Sequence, residues 1–317
     1  MKLDFSKLKV LLIGDFMVDH YIMGSSNKMS PEAPVPIVIP EEEYSIPGGA
    51  GNVAINLRTL GAKVSCVGTI GDDNWGKELL KNFIEKDIDI NGMQVLPNHL
   101  TTLKQRIYSN GTQVARLDKE RIFELKIEND ILDKSKEFDV IILSDYNKGV
   151  LSESSLIIKR LKSRISSSQK KINIIVDPKK SDFNFYKNAN IITPNLVELQ
   201  KTTNHKISDN QSIIKACNTL IEKFNFDFIC AKKGDRGITV VGKNGLINHI
   251  EPNIVKQPDV TGAGDTAISA LALSYTLTKD MNIAAKIANA AASIVVSKTG
   301  TASVSIDELN ELLLKIN

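Results

Sequence analysis

Short apolar runs alternate along this chain with longer amphipathic stretches. The runs Lys9–Gly14, Lys63–Gly68, Val140–Ser144, Ile172–Asp177, Asn190–Thr193 and Asp227–Ala231 are rich in Val and Ile and lack strict apolar–polar alternation. That pattern predicts parallel strands buried on both faces. Between them, Gly51–Leu60, Asn74–Lys86, Ser152–Ser163, Asn195–Lys201 and Ser208–Lys223 read as helices, and the chain is mostly helical from Gly264 onward. The repeated strand–helix order predicts an α/β fold, a mostly parallel sheet with helices on both faces, over a single domain spanning 1–317.

Two regions break this rhythm. Tyr21–Tyr44 carries Pro31, Pro34, Pro36 and Pro40, with β-like pieces such as Val35–Ile39. Thr101–Tyr108 and Thr112–Leu117 flank Ser109-Asn110-Gly111, and an Asn-Gly pair is a strong hairpin signal. Both regions leave the helix-covered sheet. The stretches at about 16–45 and 98–120 are therefore expected to build a small β-sheet, either a lid over a ligand crevice or a plain insertion.

Composition narrows the function classes. Forty basic residues face 37 acidic ones, a net charge of +3, which argues against a nucleic-acid binder. Cys66, Cys217 and Cys230 are scattered and odd in number, so reduced thiols in a cytoplasmic protein are expected. His20, His99, His205 and His249 do not cluster with them, so no zinc site is expected. Neither a signal peptide nor a membrane span is expected, because no apolar stretch reaches the ~18 residues a span needs.

The sharpest chemical signal is Asp259-Val260-Thr261-Gly262-Ala263-Gly264-Asp265-Thr266, followed by an apolar helical run. Gly262 and Gly264 leave backbone N–H groups bare at a helix start, a natural anion site. Asp265 then lies in the first turn, beside whatever anion binds. An acid is out of place in a pure phosphate cradle, but it suits a base that takes a proton from an attacking hydroxyl. Gly71-Asp72-Asp73-Asn74-Trp75-Gly76-Lys77 has P-loop spacing, but Glu78 follows where Ser or Thr should hold Mg²⁺, so it reads as a turn and helix start whose acids complement the helix dipole. In Pro47-Gly48-Gly49-Ala50-Gly51-Asn52 the glycines admit a close ligand, and Asn52 either bonds hydroxyls or caps a helix. Asp19 lies just past the first strand and could grip neighbouring hydroxyls or be a solvated turn acid. In Thr193-Pro194-Asn195-Leu196-Val197-Glu198, Asn195 and Glu198 share a helix face, as Mg²⁺ partners or as a capping box.

In this order the pieces resemble the ribokinase-like (PfkB) carbohydrate kinase family along nearly the whole chain. The landmarks are Gly48-Gly49, Pro194-Asn195 with Glu198, and Gly262-Ala263-Gly264-Asp265. Within the family the likeness is greatest to kinases acting at O1 of D-glycero-D-manno-heptose 7-phosphate. It rests on Gly14–Asp19, Ser30–Pro36, Pro47–Ala54, Leu143–Gly149, Asp177–Lys179 and Ala288–Ala292.

The resemblance implies a step of ADP-heptose and lipopolysaccharide inner-core synthesis, with ATP and Mg²⁺, a homodimer joined through the lid, and adenylyl transfer by a separate protein. It implies Asp265 as base and Gly262, Ala263 and Gly264 as anion hole. Asp19, Gly48, Gly49 and Asn52 become sugar contacts. Asn195, Glu198, Lys232, Gly234, Gly237 and Asn289 become nucleotide contacts, with Asn195 and Glu198 also serving Mg²⁺. Lys232 stands where the family often has Thr. Asp259, Thr261 and Ser303 resemble a K⁺ site. A substrate phosphate needs cations: Lys104 and Arg106 share one strand face, Arg116 lies on the partner strand, and Lys148 is a further candidate. These basic residues either clamp that phosphate or form a solvated face. The alternatives are a kinase for another sugar or sugar phosphate, and a non-catalytic nucleotide- or sugar-sensing protein on the same fold.

Overall fold

The computed structural model describes residues 2–122, 127–167, 170–253, 255, 259–298 and 300–316. The chain opens with β1 (Lys9–Gly14), β2 (Phe16–Ser25), β3 (Ile39–Gly49), α1 (Ala50–Thr59), β4 (Lys63–Gly71), α2 (Asn74–Glu85) and β5 (Asp89–Leu96). It continues through β6 (Thr102–Ser109), β7 (Thr112–Lys119), α3 (Asn129–Lys134), β8 (Val140–Ser144), α4 (Ser154–Ile165), β9 (Asn173–Asp177) and β10 (Ile191–Ile192). It ends with α5 (Leu196–Thr203), α6 (Asn210–Phe224), β11 (Phe228–Lys232), β12 (Ile238–Gly242), β13 (Ile247–Ile250), α7 (Ala263–Thr278), α8 (Met281–Val296) and α9 (Ile306–Ile316).

Among the described residues, nine strands form one sheet in the order β13-β12-β11-β10-β9-β8-β1-β4-β5. It is parallel from β5 to β11 and antiparallel across β12 and β13. The unbroken apolar runs have a direct cause. Val10, Leu12, Ile142, Ile175 and Cys230 face one layer, built on α1, α7 and α8. Their neighbours Leu11, Ile13, Ile141, Ile174 and Val176 face the other, with α4 and α6. Both faces are covered, so apolar residues fill both phases of these strands.

A second sheet has the order β3-β2-β6-β7, with β2 and β6 parallel and the outer pairs antiparallel. Asn110 and Gly111 turn the β6–β7 hairpin with φ of 49° and 79°, as a tight two-residue turn requires. One expectation fails here. Val35–Ile39 is not a strand; β3 starts at Ile39 and runs through three successive glutamates. Pro34 and Pro36 offer no N–H to a ladder, whereas the glutamates sit on an exposed edge. β2 follows β1 after the single residue Asp15, and β3 leads straight into α1, so the small sheet stands over the end of β1. Asp73 caps α2 by accepting from Gly76 N–H at 2.9 Å, which settles the P-loop look-alike as a helix start. Among the described residues, no helix is long and apolar enough to cross a membrane.

Candidate active site

Parallel strands send their C-terminal ends to one edge, where the strand–helix loops leave room for ligands. β1 leads into Asp15 and β8 into Asp145 and Tyr146, while β9 ends on Asp177 and β11 on Lys232. α7 begins there. Gly262 caps it in a left-handed conformation (φ 77°), and a Cβ on Gly262 would lie 2.8 Å from Asn52 Nδ2. Only glycine meets both conditions. Ala263 N–H bonds internally to the Val260 carbonyl at 3.3 Å, and Thr266 N–H to Gly262 at 3.0 Å. Among the described residues, the N–H groups of Gly264 and Asp265 have no acceptor and stay open at the positive end of the helix.

Asp265 receives two donors. Asn52 Nδ2 donates to Oδ2 at 2.7 Å, and the Tyr146 hydroxyl donates to Oδ1. Burial pushes the carboxyl up to about 6; the Tyr146 and Asn52 bonds and the Lys232 ammonium restrain the rise, while Asp177 adds to it. Asn52, expected against the sugar, therefore spends its amide on the base, and its Oδ1 accepts from Asn56. Tyr146 is the residue that sequence reasoning missed. It lay inside a family landmark, but its partner is 119 positions away and no local pattern announces the pair.

The small sheet turns one face to this edge. Asp19, Lys104 and Asp118 are successive cross-strand partners, as are Tyr44, Tyr21, Arg106 and Arg116. Arg106 Nη1 meets Asp19 Oδ1 at 2.6 Å, largely out of solvent, so a predicted sugar ligand and a predicted phosphate ligand hold each other. A Cβ on Gly48 would fall 2.5 Å from Asp19 Oδ2, and Gly49 is the cap of α1. Lys148 Nζ pairs with Glu120 at 2.6 Å, while the exposed Arg116 pairs with its own strand neighbour Asp118 at 2.9 Å. Among the described residues, Lys104 has no carboxylate within 4 Å; its ammonium sits 5.8 Å from the Tyr146 ring centre. Burial lowers its pKa, and Lys148 and Arg106 add repulsion against the pull of Asp19.

The nucleotide candidates gather at the other end of the edge. Asn195 and Glu198 form a full capping box on α5: Asn195 Oδ1 accepts from Glu198 N–H at 2.8 Å, and Glu198 Oε2 from Asn195 N–H at 2.9 Å. Burial raises the Glu198 pKa, opposed by the Asn195 N–H and Lys232. Lys232 Nζ lies 2.5 Å from Asp177 Oδ1; burial would lower its pKa, but Asp177 and Glu198 lift it, so it stays charged. A Cβ on Gly264 would sit 3.6 Å from that ammonium, which places Lys232 beside the helix start. Gly234 and Gly237 bound the turn from β11 to β12 with φ of 64° and 78°. Asn289 donates to the Glu251 carbonyl at 2.9 Å and so ties down the chain after β13.

Two ions were expected. Among the described residues, no cluster of three or more His, Cys, Asp or Glu could cage a metal. Glu198 with Asn195 nonetheless suits an Mg²⁺ that arrives with nucleotide oxygens and keeps its waters. Of the K⁺ set, the Ser303 carbonyl accepts from Lys298 Nζ at 2.8 Å, and the Asp259 carboxylate accepts from Thr261 and Gly300 N–H groups, each oxygen keeping a further lone pair.

A family model for pfkB family carbohydrate kinases matches residues 7–308. The chain belongs to that family. The bifunctional protein HldE of Helicobacter acinonychis is 40% identical over 313 residues, covering 96% of this chain and 66% of the relative. The namesake from Aliarcobacter butzleri is 39% identical over 316 residues, covering 96% and 64%. The chain thus spans just under two thirds of the length of these curated relatives. Arabidopsis thaliana ribokinase, solved with ribose and ATP, superposes with a TM-score of 0.79 at 18% identity, covering 96% of this chain and 98% of that one. At that identity the likeness speaks for the fold, which is ribokinase-like. By its family the protein is a carbohydrate kinase.

Proposed function

We propose that the protein transfers the γ-phosphate of ATP to O1 of D-glycero-D-manno-heptose 7-phosphate, giving the 1,7-bisphosphate for ADP-heptose and lipopolysaccharide inner-core synthesis. One observation carries the chemistry: a carboxylate poised near 6 sits in the first turn of a helix whose N–H groups are open. Asp265 takes the proton of the attacking hydroxyl, and the amides of Gly264 and Asp265 neutralise charge spreading over the γ-oxygens. Lys232, held by Asp177, adds a positive charge beside them. Glu198 and Asn195 would hold Mg²⁺, directly or through water, and the ion would offset nucleotide charge. Gly234, Gly237 and Asn289 border the nucleotide side, and no step is assigned to K⁺.

The family landmarks support heptose, and the basic sheet face supports a phosphorylated sugar. In this reading Lys104, Lys148 and Arg116 meet the 7-phosphate, Asp19 with Gly48 and Gly49 faces the sugar, and Arg106 keeps Asp19 in place. The segments at about 16–45 and 98–120 act as a lid that excludes water. The lid has exposed Ile39, Val114 and Leu117 and two edge strands, features that suit a homodimer joined there.

Phosphorus NMR of the product tests the reading. A new anomeric phosphate signal should appear beside an unchanged 7-phosphate signal. Equal turnover of sugars without a terminal phosphate would rule out the heptose assignment. Asp265→Asn should lower kcat by ~10²–10⁴-fold with KM values little changed; near-normal turnover would rule out the base.

A further inference from the structure

Each oxygen of Asp265 meets one donor, and the two donors are held differently. Asn52 rides on α1. Tyr146 sits in the irregular loop after β8, which is tied down more densely than a connection needs. The Asp15 carboxylate, 1% exposed, accepts from the N–H groups of Tyr146, Lys148 and Val150 at 2.8, 3.0 and 3.0 Å. Next to it, Asp145 accepts from Asn147 N–H at 2.6 Å, Lys180 Nζ at 2.5 Å and the Tyr186 hydroxyl at 2.7 Å. Two buried carboxylates thus fix one loop, and that loop delivers a phenol to the base. Lys104 covers the ring from the lid side.

We propose that Tyr146 is a positioning residue: the loop clamped by Asp15 and Asp145 holds its hydroxyl on Asp265 Oδ1, fixing the carboxylate in one orientation and keeping it ionised. This deepens the proposed function, resting on its reading of Asp265 as the base. A donor on a buried carboxylate favours the charged form and works against burial. Tyr146 does not itself exchange protons with substrate, because burial and the nearby Asp265 and Asp177 hold its hydroxyl well above the ordinary phenol value. The other charges facing the pair are Lys232 on β11, Asp177 on β9, Asp19 on β2 and Lys104 on β6, and a Tyr146→Phe change leaves all of them in place.

The sign follows. Tyr146 lowers the Asp265 pKa, so its loss must raise it. Tyr146→Phe keeps the buried ring and removes only the hydroxyl. The carboxyl ¹³C resonance of Asp265, assigned by its disappearance in Asp265→Asn, should titrate about one pH unit higher in Tyr146→Phe, a tenfold gain in proton affinity. The acid limb of kcat/KM should move up by the same amount. A resonance that titrates at the wild-type pH overturns the proposal, whatever happens to the rate, since a merely structural tyrosine would lower kcat evenly across pH. The NMR titration needs no turnover. If Asp265→Asn retained activity, the base reading would fail, while the resonance would still judge Tyr146.

Discussion

At the scale of the residue, Asp265, the proposed base, is a buried carboxyl that costs stability. Its folded value of about 6 lies above the ordinary 3.8, so between those pH values the folded state binds the extra proton. Its contribution to stability is therefore present below about pH 4 and lost as the pH rises to about 6, then level. Asp265→Asn removes the charge, and the amide can still accept from Asn52 and donate to Tyr146. We expect its Tm to exceed wild type by a few degrees at pH 7.5, on the order of 3 °C, with the gap shrinking at pH 4; calorimetry at the two pH values checks it. An equal gap at both would mean that burial of charge is not the cause. The proposed phosphate clamp calls for similar care. Arg106→Gln strands the Asp19 carboxylate, and breaking such a pair costs about 3–5 kcal/mol, so its kinetics would mix binding with folding. Lys104→Met and Arg116→Gln leave that pair intact. They should raise KM for the phosphosugar several-fold with KM for ATP unchanged, Lys104 the more because it has no competing carboxylate. Equal small effects on both substrates in initial-rate kinetics would sink the clamp.

At the scale of elements, the small sheet is fastened on two sides of the site. Glu120, just past β7, holds Lys148, and Tyr21 on β2 shares a hydrogen bond of 3.0 Å with Thr301 after α8. If Lys148 turns to the substrate phosphate, Glu120 must let go. Glu120→Gln should therefore lower KM for the phosphosugar, and an unchanged value in steady-state kinetics would count against Lys148 as a ligand. Elements differed in how plainly the chain spelled them. β1, β4, β8 and β9 were legible because burial on both faces favours a mostly apolar run. β5 was not, since Asn91 and Gly92 interrupt it at the sheet edge, and Thr239 in β12 and Asn248 with His249 in β13 break their apolar runs. β3 was hidden by its glutamates. The start of α7 was legible because glycines and an acid act locally; the grip of Tyr146, Asn52 and Lys232 on that start was not, because only the sheet order brings them together.

At the scale of the whole molecule, the edges and exposed apolar side chains of the small sheet predict self-association. Leu117→Lys should shift the protein toward monomer in sedimentation velocity; an unchanged distribution would place the contact elsewhere. The two-layer core has another consequence. Cys66, Cys217 and Cys230 are all buried, and burial pushes each thiol well above its ordinary value. Cys66 and Cys230 belong to the layer of α1, α7 and α8, Cys217 to the layer of α4 and α6. Native protein should therefore ignore an alkylating reagent until a layer opens, and the order in which single-cysteine versions react would time the loosening of each half without any added label.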